Sequence, residues 1–163
     1  MMGKTGYLLD TNHVNAYFDE HPGFKRKLQA DPQNIFFISA ISLGEIEASN
    51  LNAGRDPEVV RRFQKFVRAT FLSAPKELTF ALPVDETSRE WYAQIIYRIL
   101  LKHPLPSRHD GIEKHLSSLG VGINDVWIFA TAWNHNLTLL TTDRMKLIRG
   151  VVPHTEVLVE NWM

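Results

Sequence analysis

Apolar and polar positions divide the chain into short apolar runs, each followed by amphipathic stretches. Gly6 to Leu9 and the "FFIS" of Phe36 to Ser39 are brief apolar runs flanked by turn or polar residues, the pattern of buried strands. Helical patterns follow the first at His13 to Asp19 and, beyond Pro22, at Phe24 to Ala30. Ile41 to Asn52 follows the second and ends near Gly54. Asp56 before Pro57 predicts a capped helix start, with Val59, Val60, Phe63, Phe66 and Val67 as its apolar stripe and a basic opposite face. Leu78 to Val84 predicts a third strand. Asp85 or Thr87 then starts a long amphipathic helix through Trp91, Ile95 and Ile99 that stops before Pro104. From Lys102 to Gly122, prolines, glycines and histidines interrupt the pattern and predict a loop with a short helix around Ile112 to Leu119. Asn124 is the expected cap of "DVWIFATAW", which is apolar nearly all round and so reads as a buried helix. The strand "LTLLTT", a short helix at Arg144 to Ile148 and a last strand at Glu156 to Val159 complete the pattern.

Strands alternating with helices imply an α/β fold, a mostly parallel sheet covered by helices on both faces. Sites in such sheets form beyond the carboxyl ends of the strands. Asp10 and Asp143 both stand at such ends. The 163 residues suit a single domain spanning 1–163, with 102–122 as an insertion. The absence of cysteine excludes disulfides and thiolate-bound zinc and fits a reducing compartment. With no apolar stretch of membrane-spanning length and no signal sequence, a cytoplasmic location is expected. Lys+Arg and Asp+Glu both number 18, so bulk charge argues against a domain that holds a polyanion by charge alone. It leaves room for an enzyme whose carboxylates offset a local basic surface. The cations do cluster, at Lys25 to Lys27, at Arg61, Arg62, Lys65 and Arg68, and at Arg144, Lys146 and Arg149, although each cluster alone reads as a solvated helix face.

Four acids stand out, each with an ordinary alternative. Asp10 in "LLDTN" suits an N-cap, yet Thr11 and Asn12 can also cap, which would free Asp10 for other work. Glu45 matches a capping box with Ser42, whereas a cap at Ser39 would leave Glu45 inside the helix on a face with Ile41 and Ala48. Glu47 points to nearly the opposite side. Asp125 lies in the first turn of the apolar helix, where the dipole favours negative charge, and aligns with Ile128, Phe129 and Ala132. Asp143 in "LTTDRMKLI" caps a short helix or joins the other acids. Convergent carboxylates repel one another unless a cation compensates. Hard divalent ions such as Mg²⁺ and Mn²⁺ take carboxylate oxygen and water, and can activate a water against a phosphodiester.

Together "LLDTN", "ISAISLGEIEAS", "GINDVWIFATAW" and "LLTTD" resemble the PIN domain family of metal-dependent ribonucleases, and most closely its VapC-type toxins. The resemblance runs from Tyr7 to about Val159. It implies an α/β/α sandwich with about five strands, Mg²⁺ or Mn²⁺ dependence, RNA cleavage, frequent homodimers and a small antitoxin partner. It places the metal-binding, catalytic acids on Asp10, Glu45, Asp125 and Asp143, with Thr11, Asn12, Asn124 and Thr141 as supporting polar positions. The segment 102–122 is longer than the family's usual link. Arg108 and Lys114 in it, together with Arg144, are the expected contacts to substrate phosphates, and its His103, His109 and His115 match no zinc motif. His13 is expected at the surface. Among rival readings, a haloacid-dehalogenase-type phosphatase needs an acid where this chain has Asn12. A phospho-accepting receiver domain would carry an acidic pair near its first strand and a lysine after its last. A catalytically silent PIN-fold module that binds RNA or protein is the remaining alternative.

Overall fold

A computed structural model of the chain describes residues 6–30, 32–52, 54–73, 80–107 and 110–163. Five parallel strands form one sheet in the order β3-β2-β1-β4-β5: β1 (Tyr7–Leu9), β2 (Phe36–Ser39), β3 (Ala81–Leu82), β4 (Thr138–Leu140) and β5 (Val159–Glu160). The helices among the described residues are α1 (Thr11–Phe18), α2 (Pro22–Ala30), α3 (Ala40–Asn52), α4 (Pro57–Val67), α5 (Glu86–Lys102), α6 (Ile112–Ser118), α7 (Ile123–Asn134) and α8 (Lys146–Val151). A π-helical turn, Arg68–Leu72, extends α4.

Period-two alternation in the strands builds two cores. Leu8 and Leu139 face the core formed with Ile95 and Ile99 of α5 and Val126, Phe129 and Ala130 of α7. Their neighbours Leu9 and Leu140 face the opposite core, with Val14, Phe24, Ile46 and Phe63 of α1 to α4. Strands buried on both faces are apolar at nearly every position, which is why "YLL" and "TLL" show no regular polar alternation. The expected three-layer α/β/α sandwich with a parallel five-stranded sheet is what the chain adopts.

Element boundaries differ from the sequence expectation where the signal was weakest. The third strand is only Ala81–Leu82, and Leu78 and Thr79 of its expected start lie outside the described residues. The last strand begins at Val159 rather than Glu156, because a turn carries the Glu156 and Val157 amides to the Pro153 carbonyl. The short helix expected at Arg144 to Ile148 is Lys146–Val151. It starts after Met145, whose positive φ of 41° turns the chain sharply. Asp56 and Asp85 cap α4 and α5 as expected, accepting from the amides of Glu58 and Ser88.

The strand order changes direction between β1 and β4. Sheet neighbours on either side of such a point leave a crevice beyond their carboxyl ends. The Asp10 amide donates to the Leu140 carbonyl at 3.0 Å, so the segments leaving β1 and β4 start side by side.

Candidate active site

Each of the four acids is held by its own local chemistry. Asp10 is the N-cap of α1: its Oδ1 accepts from the His13 amide at 2.7 Å and contacts the His13 ring Nδ1 at 3.0 Å. The expected division of labour is therefore corrected, since Thr11 and Asn12 do not cap the helix. Thr11 is the first helical residue, where an extended Asp10 can reach the amide three residues on and Thr11 cannot. Capping uses one oxygen only. Both contacts of Asp10 fall on Oδ1, and the residue is only 7% exposed.

Glu45 lies inside α3 because Ser39 is the cap, its Oγ accepting from the Ser42 amide at 3.0 Å. Its two oxygens are both engaged. Thr11 Oγ1 donates to Oε2 at 2.5 Å and Asn124 Nδ2 to Oε1 at 2.8 Å, so Glu45 ties α3 to the starts of α1 and α7. Asn124 thus holds a carboxylate and does not cap the helix. The N-cap of α7 is Gly122, two residues earlier than expected, and Asn124 sits in the first turn. Glu47 is exposed on the far side of α3.

Asp125 is half-buried in the first turn of α7, above Ile128, Phe129 and Ala132 in the core. Burial pushes its carboxyl up to about 6, and repulsion from Asp143 and Glu45, with a smaller part from Asp10, adds to the shift. The Gly122 N–H, bonded back to the carboxylate, opposes it. Asp125 thus lies within the electrostatic reach of the other three acids. Asp143 is exposed, accepts from the Met145 amide at 3.0 Å and gives its own amide to Thr141 Oγ1 at 3.0 Å. Thr141 is buried and fixes the backbone of Asp143 at the end of β4. Asn12 reaches across to Thr142 Oγ1 at 3.2 Å, closing the gap between the β1 and β4 ends.

Asp125 and Asp143 border a cleft of about 600 Å³ with Val121, Arg144, Met145 and Lys146. Arg144 and Lys146 also border a neighbouring cleft of about 810 Å³ with Arg149, His154 and Val159. The two clefts together bring Asp125 and Asp143 near Arg144, Lys146 and Arg149. Among the described residues, no three acids or histidines stand close enough to close a metal shell by themselves. The donors are nevertheless all oxygen, the set that hard divalent cations accept together with retained water.

Other sequence expectations meet mixed outcomes. Lys114 is exposed on α6. Arg108 and His109 lie outside the described residues. His115 Nε2 contacts the His103 carbonyl at 2.9 Å, a packing role within the 102–122 segment. His13, expected at the surface, is fully buried. Its ring lies against Phe24 of α2, and its Nε2 accepts the Trp162 amide from the far end of the chain. The sequence reading also passed over Gly122, Thr142 and Trp162. A glycine before an acidic first turn is the one local signal that was available.

Gly122 has an extended backbone, φ −75° and ψ 136°, that alanine adopts without strain. A Cβ there would meet Asp125 Oδ2 at 2.7 Å. We expect Gly122→Ala to fold normally, because the flexible end of Asp125 yields rather than the backbone. Its carboxylate is displaced, and if these acids take a divalent cation, Mn²⁺ affinity measured by titration calorimetry drops about 10- to 100-fold, the range for disturbed metal-site geometry. Unchanged affinity would separate Asp125 from the metal.

A family model described as PIN domain matches residues 7–149. No curated protein sequence matches the chain. Among solved structures, VapBC2 from Rickettsia felis, bound to a DNA fragment from their promoter, is similar with a TM-score of 0.66 at 18% identity, covering 97% of this chain and 99% of that one. VapBC-1 from nontypeable Haemophilus influenzae gives 0.62 at 17% identity, covering 96% and 98%. FitAcB from Neisseria gonorrhoeae gives 0.57 at 22% identity, covering 95% and 96%. At these identities the structures show a shared fold. The match of the family model over most of the chain places this protein in the PIN domain family.

Proposed function

We propose that the chain is a Mg²⁺- or Mn²⁺-dependent endoribonuclease and the toxin member of a toxin–antitoxin pair. The observation that carries the reading is Asp125 at the carboxyl end of a PIN-fold sheet, half-buried and raised to about 6 first by burial and then by repulsion from Asp143, Glu45 and, least, Asp10. Like charges gathered without a compensating cation cost stability, and a cation is the simplest way to offset them. In this reading Asp10, Glu45, Asp125 and Asp143 hold the ion, with Thr11, Asn124 and Thr141 fixing their orientation and Asn12 tying the two strand ends together. A divalent ion bound there supplies a water of lowered pKa and stabilises charge building on the phosphoryl oxygens. The chain's own part is to hold the acids apart at fixed positions and to present the phosphate.

Arg144, Lys146 and Arg149 are exposed and in no ion pair among the described residues, so they are the cations we assign to the RNA backbone, with Lys114 a further contact. Arg149→Ala should lower RNA affinity and reduce the slope of log K against log salt by about 0.7, the value for one phosphate contact on a single strand. Fluorescence anisotropy across a salt series reads both, and an unchanged slope removes Arg149 from the path. The antitoxin partner and self-association belong to the same proposal. Tyr97 and Leu101, exposed on α5, offer apolar surface for either.

A pool of structured and unstructured RNAs, incubated with and without Mg²⁺ or Mn²⁺, tests the activity. Metal-dependent cleavage is expected, as is growth arrest on expression. Among the described residues no three acids stand close together, which favours one competing reading, a PIN-fold binding module without catalysis. RNA that is bound but never cut with either metal would establish that reading instead.

A further inference from the structure

His13 joins the start of α1 to the far end of the chain. Its Nε2 accepts the Trp162 amide at 3.2 Å, and its Nδ1 lies 3.0 Å from Asp10 Oδ1. A nitrogen that accepts carries no proton, so the Nδ1 position holds the hydrogen and donates to Asp10. The Trp162 amide thereby selects the tautomer that bonds the acid. Trp162 itself is locked in place: its indole Nε1 donates to Glu160 Oε2 at 2.8 Å, and its ring packs on Tyr7, Phe24 and Phe36 at centroid distances of 4.7, 5.5 and 5.9 Å. The same segment also braces the other strand end, where the Thr141 amide donates to the Glu160 carbonyl at 3.0 Å and Thr141 in turn holds Asp143. The PIN family model ends at residue 149, so this brace lies outside the matched region.

We propose that His13 is a positioning residue for the Asp10 carboxylate and that residues 159–162 set it, making the C-terminal segment a working part of the metal site. This rests on the reading of Asp10 as a metal ligand. The two bonds from His13, ring and amide, both fall on Oδ1 and restrain rotation of the carboxyl group, leaving Oδ2 outside both bonds. Partners of this kind fix ligand orientation, and their loss lowers metal affinity without removing a donor.

The test uses the full chain and Mn²⁺, with free ion read by electron paramagnetic resonance and folding by circular dichroism. Asparagine at position 13 puts an amide nitrogen near the place of Nδ1 and can keep the bond to Asp10. Glutamine reaches the place of Nε2 and keeps the Trp162 contact instead. His13→Leu keeps neither. We expect His13→Leu and His13→Gln to weaken Mn²⁺ binding about 10- to 100-fold, and His13→Asn to retain affinity close to wild type. If His13→Leu fails to fold, the asparagine and glutamine variants decide. Equal affinity in both, or retention by glutamine alone, overturns the proposal, because the effect would then follow tail packing and not the bond to Asp10. Histidine ¹⁵N spectra of the metal-free wild type give a readout independent of the metal, with an Nδ1–H tautomer expected. An Nε2–H tautomer defeats the positioning role alone. A wild type that binds no Mn²⁺ defeats the metal reading and the role together, while the Nδ1–H tautomer would still report the bond.

Discussion

Asp125→Asn is expected to abolish metal-dependent RNA cleavage while making the metal-free protein more stable. Asparagine preserves the shape of the side chain and can still accept the Gly122 N–H, so the fold loses little. What disappears is one of the mutually repelling charges, in the residue that burial and Asp143 already disfavour as an anion. After solvent screening the gain is about 1 kcal/mol, which raises the melting temperature by about 2–4 °C in a chain of this size. Cleavage should fall by more than about a hundredfold, beyond the range for residues that only support a ligand. Asp10→Asn should lose activity as severely without the same rise in melting temperature, because Asp10 also caps α1 and a charged acceptor there is favourable. Melting curves without metal and cleavage rates with Mn²⁺ check both. Cleavage that survives both substitutions removes these acids from the chemistry. An Asp125→Asn protein that melts lower than wild type contradicts the repulsion.

Metal binding should depend on pH through the same residue. An ordinary aspartate carboxyl titrates near 3.8, whereas that of Asp125 is raised to about 6. Between those values the folded, metal-free protein holds a proton that the unfolded chain has released. The stabilising contribution is therefore complete below about pH 4 and is lost as pH rises through about 6. Metal binding has the opposite sign, because a cation needs the carboxylate and must displace that proton. We expect Mn²⁺ affinity to be flat above about pH 7 and to fall about tenfold per pH unit below about 6, the slope for one competing proton. Asp125→Asn should remove the contribution of this proton to the stability profile between pH 4 and 6. Calorimetric titrations from pH 5 to 8, with unfolding curves over pH 4 to 7, read both effects. An Mn²⁺ affinity independent of pH throughout would mean that Asp125 is ionised already or is not a ligand.

These expectations draw on features of unequal visibility in the sequence. Short apolar runs bounded by turn or polar residues revealed the strands at Tyr7 and Phe36, and period-3.6 patterns revealed most of the helices, because local apolar patterning reports which positions meet a core. The β3 strand was misjudged in length, since a two-residue edge pairing is set by its neighbour β2 and leaves almost no pattern of its own. The four acids were visible as exceptions to apolar context. Their division of labour was not. Asp10 proved to be a cap as well as a member of the acidic group, and Asn124 proved to be a clamp on Glu45. Both depend on which atoms lie within about 3 Å in space, a distance that sequence spacing does not encode between separate elements.

The sequence by itself determined the α/β architecture, the placement of Asp10 and Asp143 at strand ends, and the opposite orientation of Glu45 and Glu47 on their helix, because each follows from local patterning and the direction of a side chain from its backbone. Only the tertiary structure decided that His13 is buried against Trp162, that Thr11 and Asn124 grip Glu45, and that Arg144 and Lys146 join two clefts. Those contacts link segments far apart in the chain, and they form only when β4 and β5 pair beside β1 and bring the C-terminal segment under α1.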